Sequence, residues 1–331
     1  MLPIDPAGLE RARSVLARLG ERIRFQVLGR DEVVDLVMVA LLADGHVLLE
    51  DYPGSGKTTL AKALGEALED GGGRELPPFR RIQFTPDLLP SDITGVSVFE
   101  PGTGDFSFRP GPLFAHVVLA DEINRTSPKV QAAMLEAMAE KQVTVDNVTR
   151  PLDELFFVIA TQNPRDVAGT YPLPLPQLDR FLFKIRMDHI SRDAELAVLA
   201  TRLDRRGEPT APPVGRAELL EAREQVEAGV FVAEPVNQCL VDLARALRAH
   251  PQVVQGVSTR SLVLLVPALK AAAALRGRDF VSGEDLAWLA PLVFGHRMEL
   301  GPGAPAAAEV VRLCLAEPME ALSRATLRAR A

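Results

Sequence analysis

The stretch LLEDYPGSGKTTLAKAL, residues 48 to 64, restricts the possible folds of this chain more than any other. An apolar run leads into a glycine-bearing turn, then Lys57 and Thr58, then apolar residues at helical spacing. Strand, tight loop and helix in that order make a phosphate-binding loop. Glycines let the backbone curl until several N–H groups converge on one anion, and the positive end of the following helix adds its field. In this reading Pro53, Gly54, Ser55 and Gly56 form the backbone cradle and Lys57 meets the β- and γ-phosphates of ATP. The hydroxyl of Thr58 is placed to coordinate Mg2+, and Thr59 lies one step further into the helix. The generic pattern asks for glycine at position 51, where this chain has Asp51. Its carboxylate must point away from the phosphates, because a buried like charge beside them is costly. GSGKTT also lacks the third glycine of G-x-G-x-x-G, which argues against a dinucleotide site.

Such a loop calls for a parallel sheet, and five short apolar segments supply one: residues 46–50, 81–85, 116–122, 156–163 and 180–187, separated by helical patterns. Ser127-Pro128 reads as a cap and first-turn proline opening VQAAMLEAMAE. Two inserts interrupt the plan. In the first, at about 86–112, VSVFE and DFSFR flank Pro101-Gly102-Thr103-Gly104 and predict a hairpin, with Phe99, Phe106 and Phe108 expected to pack it against the body. The second, at about 141–153, turns at Asp146-Asn147. The expected α/β core is residues 1–189. From 190 to 331 helical patterns take over, with Ser191 as a cap, a proline-rich EPTAPPV loop, and Trp288 expected in a helical core.

Composition narrows the function classes. A formal charge of −7 disfavours a general nucleic-acid surface, which needs clustered excess Lys and Arg. The two cysteines, Cys239 and Cys314, lie in apolar helical patterns and read as inert buried thiols, and the five histidines show no metal-ligand spacing. The first residues do not have the pattern of a signal peptide, and the longest apolar run, from Leu262, is broken by a proline and a lysine, so the expected setting is cytoplasmic, without membrane insertion.

Two further positions complete a candidate site. VVLADE ends an apolar run with Asp121 and Glu122; one carboxylate suits the Mg2+ shell and the other a general base that activates water. FFVIATQNP ends in Asn163, a neutral polar group able to hold the attacking water, at the end of a strand beside the acid-bearing one.

At this point the chain resembles the MoxR family of AAA+ ATPases. The likeness rests on FTPDLLPSDITG, GPLFAHVVLADEINRTSPKVQAAMLEAMAEKQVTVD, VIATQNP, LPLPQLDRFLFKI and GVSTRSL, and runs from about Val27 to Leu286. The fold it implies is a P-loop NTPase core with a five-stranded parallel sheet and an all-helical C-terminal lid. It implies that Asn163 is the sensor-1 residue, that Arg180 is an arginine finger inserted into the neighbouring subunit's site, and that Arg260 is the sensor-2 arginine of the lid. Backbone at Val27, Leu28 and Gly29 would form the adenine pocket, and both inserts would face the centre of a homo-oligomeric ring, expected to be a hexamer. The implied activity is ATP hydrolysis driving maturation or assembly of a client protein, among them von Willebrand factor A domain proteins and metalloenzymes. Independently, Ser258 reads as an N-cap that puts Arg260 in the first turn of a helix. Other readings are an Arg180–Asp179 salt bridge, a structural or trans-acting Arg125, a nucleic-acid motor, a small-molecule kinase and a non-hydrolysing scaffold.

Overall fold

The computed structural model describes residues 6–50, 55–69, 76–163, 169–201 and 209–328. Asp51, Pro53 and Gly54 therefore lie outside the described residues.

Two helices that the strand pattern did not foretell come first. Helix α1 (Pro6–Gln26) buries Leu9, Ala12, Leu16, Leu19 and Ile23, an i, i+3, i+4 stripe, and α2 (Asp31–Leu42) starts on two acids at the positive end of its dipole and is buried on nearly every side. The chain continues through β1 (Val47–Glu50), α3 (Lys57–Glu66), β2 (Leu68–Glu69), β3 (Phe79–Gln83) and α4 (Pro90–Thr94). A hairpin of β4 (Gly95–Glu100) and β5 (Asp105–Pro110) follows, then β6 (Val117–Asp121), α5 (Pro128–Glu140), a second hairpin of β7 (Gln142–Val145) and β8 (Val148–Pro151), and β9 (Phe157–Gln162). After α6 (Leu175–Leu178) and β10 (Phe183–Arg186) the chain is mainly helical: α7 (Arg192–Thr201), β11 (Val214–Gly215), α8 (Arg216–Gly229), α9 (Glu234–Ala249), β12 (Val253–Gln255), α10 (Thr259–Leu275), α11 (Gly283–Phe294), β13 (Glu299–Leu300) and α12 (Ala307–Arg328).

The central sheet has five strands in the order β10-β1-β9-β6-β3, all parallel. Its inner strands are continuous apolar runs because both faces are covered. Alternate residues feed two cores: Val47, Leu49, Val117, Leu119, Phe157 and Ile159 face α1, α2, α3 and the C-terminal helices, whereas Leu48, Val118, Ala120, Val158 and Ala160 face α5. β3 closes one edge, and its exposed Arg80 and Arg81 keep that edge charged. Two short ladders involve the C-terminal part: β11 pairs with β2, which follows α3, and β12 with β13.

Two side-chain expectations are corrected. In the first hairpin the register pairs Phe99 with Phe106 toward the outer end, where they lean on each other and not on the body: they are 50 % and 72 % exposed, with ring centroids 5.4 Å apart. Only Phe108 is packed, between Phe114 at 5.7 Å and the Arg150 guanidinium 3.9 Å above its ring. Trp288 sits on the flank of the core: its indole N–H donates to Glu32 of α2 at 3.2 Å, and Arg276 stacks on the ring at 4.3 Å. The cysteines fit their expectation, Cys239 being buried and Cys314 half-buried, and burial pushes the Cys239 thiol up to about 11.

Candidate active site

Strand order does the first part of the assembly. β9 lies between β1 and β6, so the loop after β1, the acids ending β6 and the polar end of β9 meet along one rim of the sheet, where parallel sheets place ligands. Gly56 precedes α3 with φ +93°, a left-handed conformation that a side chain would strain. The turn it makes exposes the first N–H groups of α3, at Lys57, Thr58 and Thr59, which have no partner inside the helix. The Ser55 hydroxyl beside them is buried and accepts or donates no hydrogen bond among the described residues. Helix amides without an intrahelical partner, a hydroxyl unbonded among the described residues, the Thr58 side chain and a carboxylate on the same rim form a set of groups that fits a phosphate chain with Mg2+.

Asp121, the last residue of β6, is buried and held from two sides. Thr161 Oγ1 donates to its Oδ1 at 2.7 Å, while Arg81 donates to its Oδ2 through Nη2 at 2.6 Å and Nε at 3.1 Å. The next residue, Glu122, has φ +59° and ψ 49°, an unusual conformation for a side chain of its size, fixed by the bond from its N–H to Thr161 Oγ1 at 2.9 Å. This kink turns the Glu122 carboxylate toward the edge strand, where Oε2 accepts from Gln83 Nε2 at 3.1 Å and pairs with Arg125 Nε at the same distance. Arg81 Nη2 also donates to Gln83 Oε1 at 2.6 Å, so the two acids are linked through β3. Asn163 follows β9 directly, which puts it at the same rim.

The remaining candidates approach from the flanks. Val27, Leu28 and Gly29 join α1 to α2; Gly29 has φ +69°, and a Cβ there would stand 2.4 Å from that of Ala194. Arg30 ties this turn to the Asp188 carbonyl and to the Ser55 carbonyl, the latter at 3.4 Å, so residues 27–30 sit between the phosphate loop and the start of α7. Arg260 is the second residue of α10, whose cap is Ser258 accepting from the Ser261 N–H at 3.4 Å. Its side chain is 63 % exposed and stands 3.8 Å from Asp179 Oδ2. Arg180 is half-buried and donates from Nη1 to the Leu135 carbonyl at 2.5 Å; Asp179 takes Arg297 as its close partner. Ser191 caps α7 through the Ala194 N–H at 3.3 Å, and Pro128 occupies the first position of α5, though the Ser127 hydroxyl makes no cap bond.

Sequence reading missed Arg81, Gln83, Thr161 and the buried Gln131, whose amide ties the Ile123 and Tyr171 carbonyls together at 3.1 and 2.9 Å. A usable signal existed for Thr161. On a strand i and i+2 share a face, so Thr161 follows from Asn163, and Arg81 and Gln83 belong together.

The fold and this rim define a P-loop ATPase of the AAA+ type with a helical lid. Residues 46–183 match the ATPase family associated with various cellular activities, and residues 245–313 match the AAA lid domain. The uncharacterized protein YeaC of Bacillus subtilis is 45 % identical over 298 residues, covering 89 % of this chain and 90 % of that one. Chaperone MoxR1 of Mycobacterium tuberculosis is 36 % identical over 312 residues, covering 90 % and 79 %. The crystal structure of a protein from Cytophaga hutchinsonii superposes with a TM-score of 0.83 at 32 % identity, covering 93 % of this chain and 96 % of that one. The chain belongs to the MoxR family of AAA+ ATPases. Among the described residues no helix is long and apolar enough to cross a membrane.

Proposed function

We propose that the protein is a Mg2+-dependent ATP hydrolase that works as a homo-oligomeric ring, a hexamer in the family's pattern, and remodels a client protein during maturation or assembly. The single observation that carries this reading is the meeting of Gly56, Lys57 and Thr58 with Asp121, Glu122 and Asn163 along one rim, from three adjacent strands. Helix amides and Lys57 hold the phosphates, and the backbone at Val27, Leu28 and Gly29 receives the adenine. Thr58 and Asp121 would hold Mg2+, which neutralises charge on the phosphate oxygens when bound. Glu122 takes the proton of a water that Asn163 positions, and the kink at Glu122, supported by Thr161, aims that carboxylate. Gln83 and Arg125 hold Glu122 in the conformation described here. The attack therefore requires Glu122 to leave them.

Arg180 is assigned to the neighbouring subunit's site and Arg260 to the γ-phosphate in its own. A lid gripped by Arg260 before hydrolysis and released after it converts turnover into movement. A client role is supported by the relative named Chaperone MoxR1 and by the exposed Phe99–Phe106 pair at a hairpin end. The family resemblance points to von Willebrand factor A domain proteins or metalloenzymes as client classes.

Substitution Glu122→Gln tests the chemistry. It should keep ATP affinity within about twofold and lower phosphate release by roughly 100-fold or more, the usual share of a general base. Phosphate release at the wild-type rate would refute the assignment.

A further inference from the structure

Arg297 lies just beyond α11, yet its guanidinium is bonded to the sheet domain. The side chain is 2 % exposed. Nε donates to Asp179 Oδ1 at 2.7 Å, Nη2 to the carbonyls of Asp179 at 3.1 Å and Phe181 at 2.6 Å, and Nη1 to the carbonyl of Leu182 at 3.1 Å. Nη1 also reaches the Val293 carbonyl in the last turn of α11, which fixes the guanidinium to its own helix. A rigid planar fork with its donors spread over one four-residue stretch moves only if that stretch moves with it. That stretch contains Arg180.

The surroundings give this link a direction. Asp179 is addressed by two arginines of the C-terminal helices: Arg297 closely, and Arg260 loosely at 3.8 Å from the second carboxylate oxygen. Arg260 can therefore leave for a phosphate without releasing Asp179, because Arg297 keeps its hold. Arg180 meanwhile rests against α5 through the Leu135 carbonyl, so reaching outward requires a shift of its own backbone stretch relative to α5.

We propose that Arg297 is a positioning residue that makes residues 179–182 follow the lid, so that the nucleotide state of one subunit sets how far its Arg180 reaches into a second copy of this chain. The proposal rests on the reading of Arg180 as an arginine offered across the subunit interface and of Arg260 as the lid arginine. It implies that lid closure in one protomer is reported to the next through a salt bridge and three carbonyls, without contact between the two nucleotides.

Substitution Arg297→Lys keeps a charge opposite Asp179 and removes the fork. The expected result is ATP affinity within about twofold of wild type, turnover down about tenfold or more, and recovery of turnover on mixing with Glu122→Gln subunits. Those subunits are inactive themselves but present a correctly held Arg180 to the variant's intact site. Recovered activity should follow the product of the two subunit fractions, with its maximum near equal proportions. Arg180→Ala mixed with Glu122→Gln serves as the reference, since it must recover in the same way if Arg180 acts across the interface. Should Arg297→Lys fold poorly, Asp179→Asn, which keeps the carbonyl bonds, should give a smaller loss with the same recovery. Wild-type turnover in these variants, or a loss that mixing does not recover while Arg180→Ala is recovered, overturns the proposal. Failure of Arg180→Ala itself to recover overturns the trans-acting reading beneath it.

Discussion

Glu122 and Arg260, at the candidate site, differ in how fully they are bonded from Asp285, among the C-terminal helices, and Asp153, between the sheet and α8. Asp285, at the third position of α11, is completely buried and accepts five hydrogen bonds: one from Arg276, two from Arg278, and the backbone N–H and hydroxyl of Ser282. Burial acts to raise its pKa, but the bonds from Arg278 and Ser282 outweigh it and hold the carboxyl below its ordinary value. Asp153 is likewise saturated, by Arg216 of α8 at 2.8 Å and by the Leu155 N–H at 2.9 Å. Glu122, by contrast, engages one oxygen with two partially exposed partners, and Arg260 makes a long contact to Asp179. Saturated groups, Asp121 on the rim among them, fix the architecture, whereas Glu122 and Arg260 keep bonding capacity that a ligand can claim.

The sharpest way to break this comparison is to remove one carboxylate from each region. Asp285→Ala takes the carboxylate from two arginines and uncaps α11. Because Arg276 and Arg278 keep some exposure, their charges are partly screened, and the expected loss is about 3 kcal/mol of stability rather than the upper range for a buried pair. Glu122→Gln should shift stability by less than about 0.5 kcal/mol while removing turnover. Urea midpoints measured on both variants decide it; equal destabilisation would erase the distinction.

Acid offers a smaller and separate lever. His46 is buried between two core segments, its Nδ1 accepting from the Val158 N–H and its Nε2 donating to the Met138 carbonyl, each at 3.1 Å. Burial lowers its pKa to about 4, and burial with the neighbouring Arg297 charge lowers that of His296 to about 3. Between the folded value and the unfolded one of about 6.5, the unfolded chain binds more protons, so stability falls as pH drops through that window and levels below it. At pH 5 the His46 share is about 2 kcal/mol. The depressed carboxyls Asp153 and Asp285 contribute stability that is lost only below their unfolded value of about 3.8, so at pH 5 the histidine effect is separate from theirs. Urea unfolding at pH 7.5 and 5.0 should show the loss in wild type and a shallower one in His46→Gln. Equal slopes would remove His46 from this account.

Local chemistry explains what was legible in advance. The five strands, the hairpin turn at Asp146 and Asn147 with φ 52° and 61°, the Ser258 cap and the shared rim at the ends of β1 and β6 all follow from short-range patterns and from where parallel strands end. What stayed hidden depends on register between distant segments. Arg81 and Gln83 reach the acids because Gln83 stands opposite Asp121 in the β3–β6 ladder, and no local pattern announces that pairing. Arg297 finds Asp179 across 118 positions. The helices α1 and α2 stayed hidden for a different reason: neither carries a motif, and α2, buried on nearly every side, has little polar face to mark it as a helix.

The first hairpin gives the finest version of the comparison, because one strand pair contains both kinds of side chain. Phe108 is covered by Phe114 and Arg150, whereas Phe106 two residues earlier on the same face is mostly in solvent. Truncating Phe108 to alanine should cost about 1–2 kcal/mol, less than a full core phenylalanine because one side of the ring meets only a guanidinium. Phe106→Ala should cost less than about 0.5 kcal/mol, since little area leaves or enters water differently on folding. Thermal unfolding separates the two. The same pair then separates structure from client contact: an exposed aromatic kept for a partner should lower client-stimulated ATPase when removed and leave basal ATPase unchanged. A Phe106→Ala protein as unstable as Phe108→Ala would mean that the ring is packed after all, and that the hairpin end belongs with the saturated region of the molecule.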